Sequence, residues 1–259
     1  MPNLPAHATK TIARLPYTLP SGKEITVTQD ASTTADSTGR TIWLGGQVLS
    51  VYLHDLLGRP SKKGGRRPRA IELGAGPGLV SLTLLDLGYD VLATDLPVIV
   101  DGVLQRNVKE NADKRNENGG RIERRVLDWF QQPDEWTWRS ENDPEAALEP
   151  PFDLIVTADT VYDPALSEPL LRTLHGLASL SPSAPIYLAL ERRDPALVSS
   201  FLSSAAADWS LKPSRVDHAR LLKLVSSREG TLAWEDESEW DGVEVWKLKL
   251  SRKARAGKS

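Results

Sequence analysis

The chain has 259 residues, of which 40% are hydrophobic and 26% charged, with a formal net charge of −3; this is a globular composition, long enough for one large domain or two small ones. It contains no cysteine, which excludes disulfide frameworks, thiolate metal sites, iron–sulfur clusters and cysteine nucleophiles. The small net charge exerts no global pull toward nucleic acid or membrane.

Residues 1–40 are rich in Pro, Thr and Ser, and Pro2, Pro5, Pro16 and Pro20 break up any helix there. Within them, residues 24–29 alternate apolar and polar side chains as an edge strand does. There is no apolar leader, and no run approaches the ~20 apolar residues that span a bilayer. A soluble cytoplasmic protein is expected.

From Thr41 the pattern changes. Ile42, Trp43, Leu44, Val48, Leu49, Tyr52, Leu53, Leu56 and Leu57 recur at helical spacing, and Gly58-Arg59-Pro60 stops the helix. A basic loop follows at residues 62–69. Residues 70–73 then read as a short buried strand that runs into Gly74-Ala75-Gly76-Pro77-Gly78, and residues 79–87 as a helix ended by Gly88. A second strand covers 89–94 and stops at Asp95. Helix is predicted for 96–111, strand for 121–127 and 152–157, helix for 166–180, strand for 186–190 and helix for 195–207. Two late strands, 210–216 and 243–250, have no helix predicted between them and are expected to pair as an antiparallel hairpin with a long connection.

Strands alternating with helices predict an α/β fold, a doubly wound and mostly parallel sheet covered on both faces. The expected organisation is an N-terminal extension (1–40), one domain (41–250) carrying a polar insertion at 131–151, and a basic tail (251–259).

Four places carry chemistry. In Glu72-Leu73-Gly74-Ala75-Gly76-Pro77-Gly78 the glycines stand where a strand meets a helix, so the backbone turns sharply and a ligand approaches without a Cβ in the way. A dinucleotide fingerprint would carry its third glycine where this chain has Leu79, and no P-loop lysine follows, which argues against NAD, FAD and nucleoside triphosphates. Asp95, at the end of the second strand, is placed to accept the ribose hydroxyls of a nucleoside, or else to cap the next helix. Asp128-Trp129-Phe130, after the third strand, offers an acceptor for an adenine amino group and a ring to cover the base. Thr157-Ala158-Asp159-Thr160-Val161-Tyr162 follows the fourth strand. Ala158 is small where a cofactor passes the backbone, and Asp159 and Tyr162 are spaced to face one cleft.

With these elements in hand the chain resembles the class I S-adenosylmethionine-dependent methyltransferases, and within them the family-16 protein-lysine methyltransferases. The resemblance covers roughly residues 24–250. It rests on Thr38-Gly39-Arg40-Thr41-Ile42-Trp43, the glycine motif, Leu127-Asp128-Trp129 and Ala158-Asp159-Thr160-Val161-Tyr162. It implies a Rossmann-like, seven-strand methyltransferase sheet and S-adenosyl-L-methionine as cofactor. The family's cofactor contacts fall on Trp43, Gly74, Ala75, Gly76, Asp95, Trp129 and Ala158; Glu72 and Asp128, from the same motifs, complete the expected set. Its Asp-x-x-Tyr positions map to Asp159 and Tyr162, the expected catalytic pair. No metal site is expected. Leu188-Ala189-Leu190-Glu191-Arg192-Arg193 and the general layout are most similar to fungal enzymes that methylate translation elongation factor 1-alpha. The resemblance therefore implies that factor as protein partner and a monomeric enzyme.

In this reading Asp159 orients the incoming amine and the Tyr162 ring and hydroxyl fix its direction. A carboxylate is a poor general base for a lysine whose free pKa is ~10.4. Base methyltransferases usually carry prolines after the fourth strand that shape a slot for a flipped base; Asp159-Thr160-Val161-Tyr162 has none, and the basic runs at 62–69 and 247–258 read as a loop and a tail. The same motifs would also serve a small-molecule methyltransferase, or a scaffold that binds the cofactor without turning it over. As a scaffold, the chain would use its eight Trp residues as interface anchors in place of core. The acidic stretch 235–241 reads as a solvated loop or a docking site for a basic surface.

Overall fold

A computed structural model of the chain describes residues 2–30, 39–58, 66–112, 120–138 and 148–251. Parts of the basic loop, the insertion and the C-terminal tail (62–65, 139–147 and 252–259), together with Thr38 and the helix stop at Arg59 and Pro60, lie outside the described residues.

The N-terminal region forms a short helix, α1 (Ala6–Thr9), and a hairpin of β1 (Arg14–Thr18) and β2 (Glu24–Thr28). The strand expected at 24–29 is thus one arm of a separate two-stranded sheet and does not edge the main one. Pro16 hides β1 from a pattern reading because proline donates no ladder bond. It is tolerated because its partner Thr26 turns its own N–H and C=O outward to the side chain of Asn111. Asn107 does the same for Thr28, accepting from its N–H at 2.7 Å and donating to its C=O at 3.0 Å.

The central sheet follows after α2 (Leu44–Leu57), which ends at Gly58. Its first strands and helices are β3 (Arg69–Leu73), α3 (Leu79–Asp86), β4 (Asp90–Asp95), α4 (Pro97–Ile99), α5 (Gln105–Asn111) and β5 (Ile122–Val126). The second half comprises β6 (Leu154–Ala158), α6 (Pro164–Leu180), β7 (Ile186–Glu191), α7 (Pro195–Ala207), β8 (Leu211–Arg215), α8 (His218–Val225) and β9 (Val243–Leu250). The seven main strands lie in the order β5-β4-β3-β6-β7-β9-β8. Pairs from β5 to β7 are parallel, and β9 pairs antiparallel with β7 and β8.

Two expectations are corrected. The helix predicted over 96–111 is interrupted between α4 and α5 by a π-helical turn, Val100–Leu104, because Gly102 leaves helical geometry (φ −98°, ψ −111°). The late strands do pair antiparallel, but α8 lies between them. It is capped by Asp217 and buries only Leu221 and Val225, too short an apolar stripe to stand out in sequence.

Side chains alternate across the sheet with period two. Leu154 and Val156 join the core under α2, α3, α8 and the hairpin, while Ile155 joins the core under α6 and α7. The insertion adds Trp136 and Trp138 beside Phe152 on that second face. None of the eight Trp side chains is exposed, so they serve packing first. No helix among the described residues is long and apolar enough to cross a membrane.

Candidate active site

In an open parallel sheet ligands bind beyond the carboxyl ends of the strands, where the winding order reverses. Here that point lies between β3 and β6, which pair from Ala70↔Leu154 to Leu73↔Thr157. Above it opens a cavity of about 730 Å³, and all the sequence-predicted residues line it: Trp43, Glu72, Gly74, Ala75, Gly76, Asp95, Asp128, Trp129, Ala158, Asp159 and Tyr162. The volume is that of a pocket for a cofactor-sized molecule.

The floor is the glycine turn. Gly74 (φ +64°) and Gly76 (φ +53°) hold left-handed backbone that other residues enter at a cost. A Cβ on Gly74 would lie 2.7 Å from Thr160 Cγ2, and one on Gly76 3.0 Å from the Gly39 carbonyl oxygen. The Thr157 hydroxyl donates to the Leu73 carbonyl and pairs with the Thr160 hydroxyl, tying the turn after β6 to the end of β3. Glu72 is buried and accepts from the Ser81 hydroxyl on α3; burial pushes its pKa up to about 8. It anchors the strand–turn–helix unit from beneath.

Asp95 lines the cavity, but the helix cap offered as the alternative from sequence is not found: α4 starts from Leu96 as N-cap, with no side-chain cap. One carboxylate oxygen accepts from Gly76 N–H at 2.8 Å and the other from Leu96 N–H at 2.7 Å, so it braces the glycine turn while lining the cavity. Burial raises its pKa to about 6. Each carboxylate oxygen has a second lone pair, the acceptor a ribose hydroxyl requires. Asp128 accepts from the N–H of Phe130, and the Trp129 ring stands 3.4 Å from the Cβ position at Gly74. The carbonyl of Trp129 is held by Arg172 of α6.

At the opposite end, Asp159 sits in left-handed backbone (φ 58°) with its carboxylate against the start of α2. It accepts from Gly46 N–H at 2.8 Å and Gly45 N–H at 3.2 Å. These N–H groups have no partner within the helix, and Trp43, the N-cap residue, makes no side-chain cap. A Cβ on Gly45 would lie 2.6 Å from Asp159 Oδ1, so glycine is what lets the carboxylate in. Burial pushes the Asp159 pKa up to about 7, against the lowering by the two N–H groups. Asp159 thus fixes α2, and with it Trp43, against the end of β6. Tyr162 is 54% exposed at the rim.

Sequence reasoning missed the other lining residues at this end. Glu191 ends β7 and Arg193 follows it; both line the cavity and pair with one another, and Arg193 lies 4.9 Å from the Trp43 ring centroid. Their position one strand beyond Asp159 was the signal that could have found them. The acidic stretch 235–241 does not line the cavity. It packs beside α1, with Glu239 2.9 Å from His7 and Trp240 buried.

A family model described as lysine methyltransferase matches residues 21–207. The chain is 37% identical over 100 residues to the protein-lysine N-methyltransferase rrg1 of Schizosaccharomyces pombe, covering 38% of this chain and 31% of that protein. It is 32% identical over 157 residues to the protein-lysine methyltransferase METTL21E of Mus musculus, covering 61% of this chain and 57% of the relative. The matches therefore span from about a third to somewhat over half the length of these curated relatives. Among solved structures, the N-terminal domain of human METTL16 in complex with SAH aligns with a TM-score of 0.52 at 11% identity, over 88% of this chain and 76% of that one, a likeness of fold. With a family model covering most of its length, the chain belongs to the lysine methyltransferase family.

Proposed function

We propose that this chain transfers methyl groups from S-adenosyl-L-methionine to a lysine of a protein, and that the protein is translation elongation factor 1-alpha. The observation that carries the reading is the convergence, in one cavity, of a glycine cradle, a strand-end carboxylate, a tryptophan ring and the Asp159–Tyr162 turn. The residues fit the cofactor. Gly74 and Gly76 leave open the space a Cβ would fill, Asp95 offers acceptors for the ribose, and Asp128 and Trp129 frame the base. When bound, S-adenosylmethionine supplies a methyl group made electrophilic by its sulfonium.

The chain's own residues do the rest. Burial in the cleft strips water from an incoming lysine and favours its neutral amine. Holding that amine in line with the methyl group supplies the larger acceleration. Tyr162, at the rim, directs the side chain inward. Asp159 orients the acceptor end, through its hold on α2 and Trp43. The same reading makes the protein a cytoplasmic monomer, and its lack of cysteine suits a reducing compartment.

The test is transfer of radiolabelled methyl in an RNase-treated fungal lysate, with wild type and Asp159→Ala in parallel. A single labelled protein identified as elongation factor 1-alpha, absent with the variant, is expected. Label confined to small molecules, or lost on RNase treatment, overturns the substrate class. Label on a different protein overturns the elongation factor alone.

A further inference from the structure

We propose that Lys10 is itself a methyl acceptor of this cleft, methylated in cis by the chain that carries it. The inference rests on the transferase reading above and starts from how the N-terminal arm is held. Asn3 exchanges two hydrogen bonds with Thr18 and accepts from Trp234 Nε1 through its carbonyl at 2.7 Å. Gln47 of α2 donates to the Leu4 carbonyl, and Gln29 donates to the carbonyls of Thr9 and Ile12, on either side of Lys10. The arm is pinned before and after this one lysine.

Its side chain lies on Trp43, a lining residue of the cavity, although Lys10 is not itself among the lining residues. Lys10 Nζ stands 3.6 Å from the centroid of the Trp43 ring, the same ring that Arg193 approaches at 4.9 Å. Trp43, Arg193, Glu191 and Asp159 all line the cavity. An aromatic face with carboxylates beside it is the chemistry that recognises a lysine ammonium, and Lys10 already lies on that face. Burial and the Arg193 charge lower the Lys10 pKa, against the pull of Glu191 and Asp159. This enlarges the share of neutral amine, the form that reacts.

The step balances without a further reagent. The ammonium releases a proton to water. The Nζ lone pair then forms a bond to the methyl carbon, and the carbon–sulfur bond breaks with its electron pair moving to sulfur, leaving S-adenosylhomocysteine and methylated Lys10.

The experiment incubates the full chain, wild type and Lys10→Arg, with S-adenosylmethionine over a range of protein concentrations and reads methylation peptide by peptide in a mass spectrometer. The expected result is methyl mass on Lys10, with a first-order rate constant independent of protein concentration, and none anywhere in Lys10→Arg. A second readout needs no turnover. Competitive acylation of the cofactor-free chain across pH is expected to label Lys10 with a midpoint below that of the chain's exposed lysines. Methyl mass on another lysine, a fractional rate that rises with protein concentration, or an ordinary acylation midpoint overturns the proposal. An unmodified Lys10 while a lysate protein is labelled also overturns it and leaves the transferase reading intact. Failure to bind S-adenosylhomocysteine in calorimetry, with no transfer to any acceptor, overturns both.

Discussion

Replacing Asp159 by Asn separates its charge from its cap. Both carboxylate oxygens accept N–H groups at the start of α2, and burial raises the pKa from 3.8 to about 7. A carboxyl group whose folded pKa lies above its unfolded one binds its proton more tightly when folded. Its contribution to stability is therefore largest below pH ~4 and declines as the pH rises through the window up to ~7. Each pH unit in that window is worth ~1.4 kcal/mol, so between pH ~5 and pH ~8 the acid loses about 3 kcal/mol that a neutral amide keeps. Asn tolerates left-handed backbone and its carbonyl oxygen still accepts. The lost second acceptor appears as a pH-independent offset of about 1 kcal/mol. Urea unfolding of the cofactor-free protein, followed by tryptophan fluorescence across that range, reads the difference. Asp159→Asn is expected to gain about 3 kcal/mol on wild type as the pH rises; two parallel stability curves would refute the buried, N–H-bound carboxylate.

Three further outcomes are expected. Gly74→Ala forces a Cβ to within 2.7 Å of Thr160 Cγ2 at φ +64°. It should lower S-adenosylhomocysteine affinity at least ~10-fold in calorimetry, for ~1.4 kcal/mol or more of strain; unchanged binding would contradict the cradle. Asp95→Asn removes a charged acceptor from the cavity and, at ~1.5–3 kcal/mol for such bonds, should weaken the same ligand ~10- to 100-fold. An affinity within twofold of wild type would remove Asp95 from the ribose. Trp234→Phe deletes the 2.7 Å bond to the Asn3 carbonyl, costs about 1 kcal/mol and should speed proteolytic cutting of the N-terminal arm. An arm as resistant as that of wild type would mean the remaining bonds hold it unaided.

What was legible in the sequence divides by range of interaction. The strand runs and their alternation with helices carried the sheet, since burial on both faces demands the mostly apolar runs at 70–73 and 152–157, broken only by Glu72, Asp153 and the terminal Thr157. The glycine motif, Asp95, Asp128-Trp129 and Asp159–Tyr162 were visible because each sits at a strand end, where a parallel sheet gathers them. Local signals misled where two rules competed. Pro16 read as a breaker although Thr26 needs nothing from it, and Gly102 was absorbed into a helix it interrupts. Contacts between distant segments left no trace in spacing. Asp159 on Gly45 and Gly46, and Lys10 on Trp43, join residues that nothing local brings together.

The two asparagine side chains of α5 that face β2 act as a false strand. An open sheet edge is a template on which another chain can add itself. At Thr26 and Thr28 the outward donors and acceptors of that edge are already taken by Asn111 and Asn107. A helix thereby does the work of a third strand, and the β2 edge of the hairpin is closed to growth by pairing. Its outer amides are held like those of a sheet interior, although no strand lies beside them.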